Sequence, residues 1–250
     1  MSDHPELRTT RLSFDYGGRP AIQDINMSVH GGEILGVLGP NGAGKSTLMK
    51  CLSGCLKPMS GQINLCHQSI ESLPLWRRSR LGLGYLPQSC TLLPELSVLQ
   101  NLALGLSRKK TEVDATVILR NAGLEDYQDH KPSQLSGGQQ RQVELARIFA
   151  MGFKVVLLDE PFAGIDPKVR QQICRQIRAF QSSGCAVVVA DHNVEATLDL
   201  VCRAVVLVDG KVCCEGNRAK ILQDDAVRAH YLGEGHLADR DDSKEDVHGF

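Results

Sequence analysis

Polar and apolar residues alternate from Leu7 to Phe14 and again from Ile22 to Val29. That period of two predicts an antiparallel pair of strands turning at Gly17-Gly18. Glu33 to Leu38 is a short apolar strand that runs into a glycine-rich stretch, and Thr47 to Ser53 continues as a helix. Gly61 to Cys66 and Gly84 to Leu86 are further strands, the second ending at Pro87-Gln88. The period then becomes helical. Ser97-Val98-Leu99-Gln100 forms a capping box, with Leu99, Leu102, Ala103 and Leu106 on one side of the helix it opens. Val113, Val117, Ile118 and Ala122 make a second stripe that stops near Gly123, and Val143, Ala146, Ile148 and Ala150 belong to a third helix.

Beyond this insert the strands return as unbroken apolar runs. Val155 to Leu158 and Ala186 to Ala190 suit parallel strands covered on both faces. Between them Asp166-Pro167 supplies an N-cap and an N1 proline. Val169, Ile173, Ile177 and Phe180 form the inner face of that helix, and Gly184 stops it. Val205 to Val208 and Lys211 to Cys214 flank Asp209-Gly210, a hairpin signal. The expected fold is α/β: a core on a mostly parallel sheet, an N-terminal antiparallel β subdomain and an inserted α-helical subdomain near 89–150. Residues 1–237 are expected to form one domain, and 238–250, charged from Asp239 to Asp246, a disordered tail.

Composition narrows the class. Hydrophobic residues make up 42% of the 250 and charged residues 23%, enough for a sizeable core. A net charge of −1 gives no overall basic field toward nucleic acid or an anionic membrane. Nine cysteines contain no C-x-x-C pair and read as reduced thiols, with Cys51 and Cys55 expected in the core. The N-terminus has no apolar signal region, and the longest apolar runs, such as Cys185 to Ala190, fall far short of a bilayer span.

The chemistry begins at Gly39-Pro40-Asn41-Gly42-Ala43-Gly44-Lys45-Ser46, with Thr47 after it. A strand before and a helix after this G-x-x-x-x-G-K-S loop are the context for binding a nucleoside triphosphate such as ATP. Glycines let backbone N–H groups approach the phosphates, and the helix N-terminus favours negative charge. Lys45 would reach the β- and γ-phosphates, and Ser46 would hold Mg²⁺. Asp159 and Glu160 end the apolar run Val155 to Leu158, at the carboxyl edge of the sheet. There Asp159 can hold Mg²⁺ through water and Glu160 can polarise an attacking water. An Asp-Glu pair is more often a solvated loop end, but the strand before it and Pro161 after it favour the chemical reading.

The phosphate loop followed by Leu135-Ser136-Gly137-Gly138-Gln139 resembles the ATP-binding cassette (ABC) ATPases. The resemblance extends in order from Tyr16 to His192 and implies a P-loop NTPase (RecA-like) core. It implies that Tyr16 stacks on adenine, although core packing would also suit that ring. Gln88 would sense the γ-phosphate and the metal, and His192 would act as a switch at the γ-phosphate. Ser136, Gly137, Gly138 and Gln139 would close over ATP held by a second subunit. Two copies would then pair head-to-tail around two ATP, with Asp166 in the loop crossing their interface. Separate transmembrane permease subunits would hold the pair at the cytoplasmic face of the inner membrane, with no nucleic-acid partner.

A narrower likeness rests on Glu160 to Pro167, on Asp191-His192-Asn193-Val194 with Ala196-Thr197-Leu198, and on Tyr231-Leu232-Gly233-Glu234. These are similar to the ATPase subunit of the lipopolysaccharide exporter, with branched-chain amino-acid importer ATPases sharing much of the set. By the same analogy a groove with Cys90, Leu92 and Leu93 would receive a helix of the membrane subunits. A soluble ABC ATPase acting on DNA would carry a coiled-coil or zinc-bearing insertion, and no heptads or cysteine pairs occur here.

Overall fold

The computed structural model describes residues 6–106 and 114–232. Val113 of the second helical stripe, Gly233-Glu234 and the tail 238–250 lie outside the described residues. In chain order the first elements are β1 (Leu7–Asp15), β2 (Pro20–Val29), β3 (Ile34–Leu38), α1 (Lys45–Ser53), β4 (Ser60–Leu65), β5 (Gln68–Ser69), α2 (Leu75–Arg80) and β6 (Leu83–Leu86). The helices α3 (Val98–Leu106), α4 (Ala115–Asn121) and α5 (Gly137–Met151) follow. The chain then runs through β7 (Val155–Asp159), α6 (Pro167–Ser182), β8 (Ala186–Ala190) and α7 (Val194–Leu198). It continues through β9 (Arg203–Val208), β10 (Lys211–Gly216), α8 (Arg218–Gln223) and α9 (Asp225–Val227).

Two sheets carry the fold. The six-stranded one has the order β10-β9-β3-β8-β7-β6 and is parallel from β9 to β6. Every residue of β3, β7 and β8 is buried, which explains their unbroken apolar runs. The hairpin β9–β10 turns at Asp209 and Gly210, both at positive φ (49° and 75°), the conformation a two-residue type I′ turn demands. The second sheet, β2-β1-β4-β5, is antiparallel, with Leu7 opposite Val29 and Phe14 opposite Ile22.

Leu7, Ile25 and Ile63 from this smaller sheet share a core with Leu48 and Leu52 of α1 and with Val37 and Val188 of the large sheet. The large sheet's opposite face packs on Ile173, Ile177 and Phe180 of α6 and on Leu145 and Ile148 of α5. Helices α3, α4 and α5 enclose an apolar cluster of their own, including Leu102, Leu119 and Val143.

Three local expectations need correction. Ala103 is exposed, and the inner face of α3 carries Val98, Asn101, Leu102 and Leu106 instead. Asn101 turns inward because its amide satisfies the loop before the helix: it accepts from Leu93 N and donates to the carbonyls of Leu93, Leu96 and Ser97. On α4, Val117 is exposed while Ile118 and Leu119 are buried. Cys51 is buried but Cys55 is exposed, since α1 stops at Ser53 and Gly54 turns the chain away at φ 86°. The capping box at Ser97 and Gln100 forms reciprocally, as its spacing predicts.

Candidate functional site

Parallel strands deliver their carboxyl ends to one edge, and four neighbours here carry the chemistry. β3 leads into the phosphate loop, β8 into Asp191 and His192, β7 into Asp159 and Glu160, and β6 into Pro87 and Gln88. Because these strands lie in the order β3-β8-β7-β6, the four segments abut in that sequence.

The phosphate loop is shaped by its packing. A Cβ on Gly39 would stand 2.2 Å from Leu207 O of β9, and one on Gly44 would stand 2.4 Å from Ala21 O of β2. The glycines therefore admit neighbouring backbone as much as ligand. Gly44, at φ 100°, is the N-cap of α1 and offers no side chain to its N–H groups, whereas Asp114, Ser136, Asp166 and Asn217 cap α4, α5, α6 and α8. The first turn of α1 is left for an anion. Lys45 is buried and donates to the carbonyls of Gly39 (2.7 Å) and Pro40 (2.9 Å). Burial lowers its pKa from the ordinary lysine value, against the pull of Glu160, Asp191 and Asp159.

Ser46 Oγ donates to Asp159 Oδ1 at 3.2 Å, and Tyr85 Oη donates to Asp159 Oδ2 at 3.3 Å. Burial raises the Asp159 pKa; the hydrogen bond from Ser46 opposes this and the charge of Glu160 adds to it. Glu160 itself sits at φ 48°, a strained conformation for a residue with a side chain. Its N–H is tied to Ala190 O at 2.7 Å. Gln88 Nε2 donates to Glu160 Oε2 at 2.8 Å, and His192 Nδ1 lies 3.8 Å from the same oxygen. Gln88, Glu160 and His192 thus converge on one carboxylate next to the Ser46–Asp159 pair.

The signature residues sit elsewhere. Ser136 caps α5 in a reciprocal box, accepting from Gln139 N at 3.3 Å while its own N–H donates to Gln139 Oε1 at 2.8 Å. A Cβ on Gly138 would press on Val169 Cγ1 at 2.7 Å, so that glycine lets α5 approach α6. Among the described residues, no hydrogen bond or ion pair joins 135–139 to the phosphate loop. Tyr16 is 52% exposed with its ring edge-to-face on Phe14, which removes core packing as its role. Asp166 does cap its helix, accepting from Lys168 N at 2.8 Å. Leu92 is core, leaving Cys90 and Leu93 exposed.

Sequence reasoning passed over Tyr85 and Arg141 and gave Asp191 no role of its own. Asp191 is fully buried and accepts from Phe162 N and Asn193 N, fixing the turn that presents His192. Arg141 is buried and donates to the carbonyls of Pro87 (3.0 Å), Gln88 (3.1 Å) and Glu160 (3.4 Å).

The family model described as "ABC transporter" matches residues 22–163. The "Lipopolysaccharide export system ATP-binding protein LptB" of Acidithiobacillus ferridurans is 40% identical over 233 residues, 91% of this chain and 97% of that protein. The ADP conformation of MJ1267, an ATP-binding cassette of an ABC transporter, superposes with a TM-score of 0.82 at 27% identity, covering 92% of this chain and all of that one. The dimeric post-hydrolysis structure of the cassette MJ0796 bound to ADP and Pi has a TM-score of 0.75 at 26% identity, covering 84% and 98%. A phosphate loop, a strand-end carboxylate pair and a separately placed signature helix, all on this one topology, make the chain a member of the ABC transporter ATP-binding family.

Proposed function

We propose that the chain is the ATP-hydrolysing subunit of a lipopolysaccharide exporter, working as a head-to-tail pair beneath separate membrane subunits. The observation that carries the catalytic reading is the convergence of Gln88 and His192 on the Glu160 carboxylate, beside the loop that binds phosphate. A carboxylate so placed takes a proton from attacking water as a general base. Ser46 and Asp159 offer an oxygen pair at 3.2 Å, and they would hold Mg²⁺. Among the described residues no group of three or more His, Cys, Asp or Glu forms a dedicated metal cage. Mg²⁺ takes most of its ligands from water and phosphate, so one or two protein oxygens suffice to hold it. The ion would neutralise phosphate charge.

Pairing is supported by the exposed signature turn, which has no tie to its own phosphate loop, and by the dimeric form of the related cassette MJ0796. Tyr16 is free to stack on adenine. No helix among the described residues is long and apolar enough to cross a membrane; in this reading the partners hold the pair at the cytoplasmic face. A cleft of about 410 Å³ lined by Leu75, Trp76, Thr91, Leu104 and Phe153, rather than by the Cys90, Leu92 and Leu93 expected from the sequence, would take a helix from those partners.

The substrate reading rests on the 40% identity with the exporter protein. Depleting the chain from its cell and following newly made lipopolysaccharide tests it. Material retained at the inner membrane is the expected result; normal export would overturn the substrate. Co-purification from membranes identifies the attached permeases.

A further inference from the structure

Helix α5 carries buried ionic side chains that the hydrolysis scheme above does not use. Arg141 and Glu144 are 7% and 2% exposed, and Arg147, a further three residues on, is half-buried on the same face. Glu144 Oε1 accepts from both Thr91 N and Thr91 Oγ1. Its Oε2 accepts from Arg141 Nη1 at 3.2 Å. Arg147 donates to Thr91 O at 3.2 Å and also to Thr91 Oγ1. Arg141 holds the carbonyls of Pro87, Gln88 and Glu160. Residues 87–91 are therefore hung from α5 at both ends, and the second end is Thr91, in the wall of the cleft.

A buried ion pair is a poor way to gain stability, since apolar side chains of equal volume commonly do as well. What this one provides is position. It fixes the backbone that carries Gln88 and the strained Glu160 relative to α5. We propose that Glu144 is a positioning residue for ATP hydrolysis, joining Thr91 at the cleft to Arg141 and, through it, to the backbone of Gln88 and Glu160. The proposal rests on the assignment of Glu160 as the base. It makes cleft occupancy and the placement of the base two ends of one hydrogen-bonded chain.

The test uses the full-length chain. Glu144→Gln keeps volume and an oxygen for Thr91, but turns an amide N–H₂ toward the Arg141 guanidinium, donor against donor. Thr91→Val removes the hydroxyl's bonds to Glu144 and Arg147 and leaves the backbone bonds of Thr91 in place. Steady-state kcat and KM for ATP, ADP affinity and the melting temperature are measured for each variant and for the double variant. Glu144→Gln is expected to lower kcat by about tenfold or more, with KM and ADP affinity within about threefold of wild type, because no phosphate-loop atom belongs to the chain. Thr91→Val should lower kcat by about threefold, and the double variant should be no slower than Glu144→Gln. Wild-type kcat in Glu144→Gln, measured well below its melting temperature, overturns the proposal; so does a fall in kcat matched by a fall in ADP affinity. Should Glu144→Gln fail to fold, wild-type kcat in Thr91→Val overturns it equally. Glu160→Gln, assayed beside them, separates the two readings: full activity there sinks the base assignment, whereas full activity in Glu144→Gln sinks only the positioning role.

Discussion

The side-chain amide of Gln88 donates to Glu160 Oε2 at 2.8 Å across 72 positions of sequence. Gln88 lies two residues past the end of β6 and Glu160 directly follows β7, and the parallel pairing of those strands sets their distance. The bond holds the carboxylate at the edge where phosphate binds. Replacing Glu160 with Gln should lower the ATP hydrolysis rate by about a hundredfold or more while nucleotide still binds. Turnover and equilibrium nucleotide binding on the same preparation check this; a near-normal rate would remove Glu160 as the base.

Ser136 closes a capping box with Gln139 on the exposed turn before α5. Ser136→Arg should cost about 1 kcal/mol of fold stability through the lost cap, leave nucleotide binding by one subunit intact and abolish hydrolysis. Mixing it with Lys45→Ala subunits is the sharper assay. A head-to-tail pair of the two variants has one site with both lesions and one intact site, so activity absent from either alone should partly return. No recovery in a mixture shown to form heterodimers would count against composite sites.

Asp159 is 3% exposed and its pKa is raised by burial. A carboxyl whose folded pKa lies above its unfolded value destabilises the fold while it is ionised, and that cost disappears as pH falls through the folded pKa. Asp159→Asn should therefore raise stability by about 1 kcal/mol at neutral pH without nucleotide or metal, while eliminating hydrolysis. The gain should shrink toward acid pH. Melting temperatures of both proteins between neutral and acid pH decide it; a gain that grows in acid would contradict the sign.

Arg78 of α2 is fully buried and has no carboxylate within ion-pair distance among the described residues. Its guanidinium donates to Cys51 O and Leu52 O at the end of α1, and also to Leu73 O and Glu71 O. It serves the carboxyl end of the helix whose amino end faces the phosphate. Burial lowers its pKa to about 10, so it remains charged at neutral pH. Arg78→Met would leave those carbonyls unsatisfied and should cost about 3 kcal/mol or more, read by chemical denaturation. A loss below about 1 kcal/mol would mean that water replaces it.

The phosphate loop, the strand-end pair Asp159–Glu160 and the signature at α5 were legible because each is a contiguous run whose local conformation follows from its own residues. Element types followed for the same reason: apolar runs at β7 and β8, Asp166-Pro167 at α6, Asp209-Gly210 in the last hairpin. The inner face of α3 was misjudged because Asn101 earns its burial from a loop that periodicity does not describe. Arg78, Tyr85 and Glu144 left no linear mark, since their partners lie on other elements.

The order of residues along the chain determined which segments become strands, helices and anion-binding turns, because those choices depend on side-chain period, capping and glycine placement within a few residues. Tertiary structure alone decided that Ser46 meets Asp159, 113 positions away, and that Thr91 hangs from Glu144. Those neighbours are set by the strand order β3-β8-β7-β6 and by the packing of α5 against it. That arrangement minimises exposed apolar area over the whole chain at once, so no short window of sequence contains it.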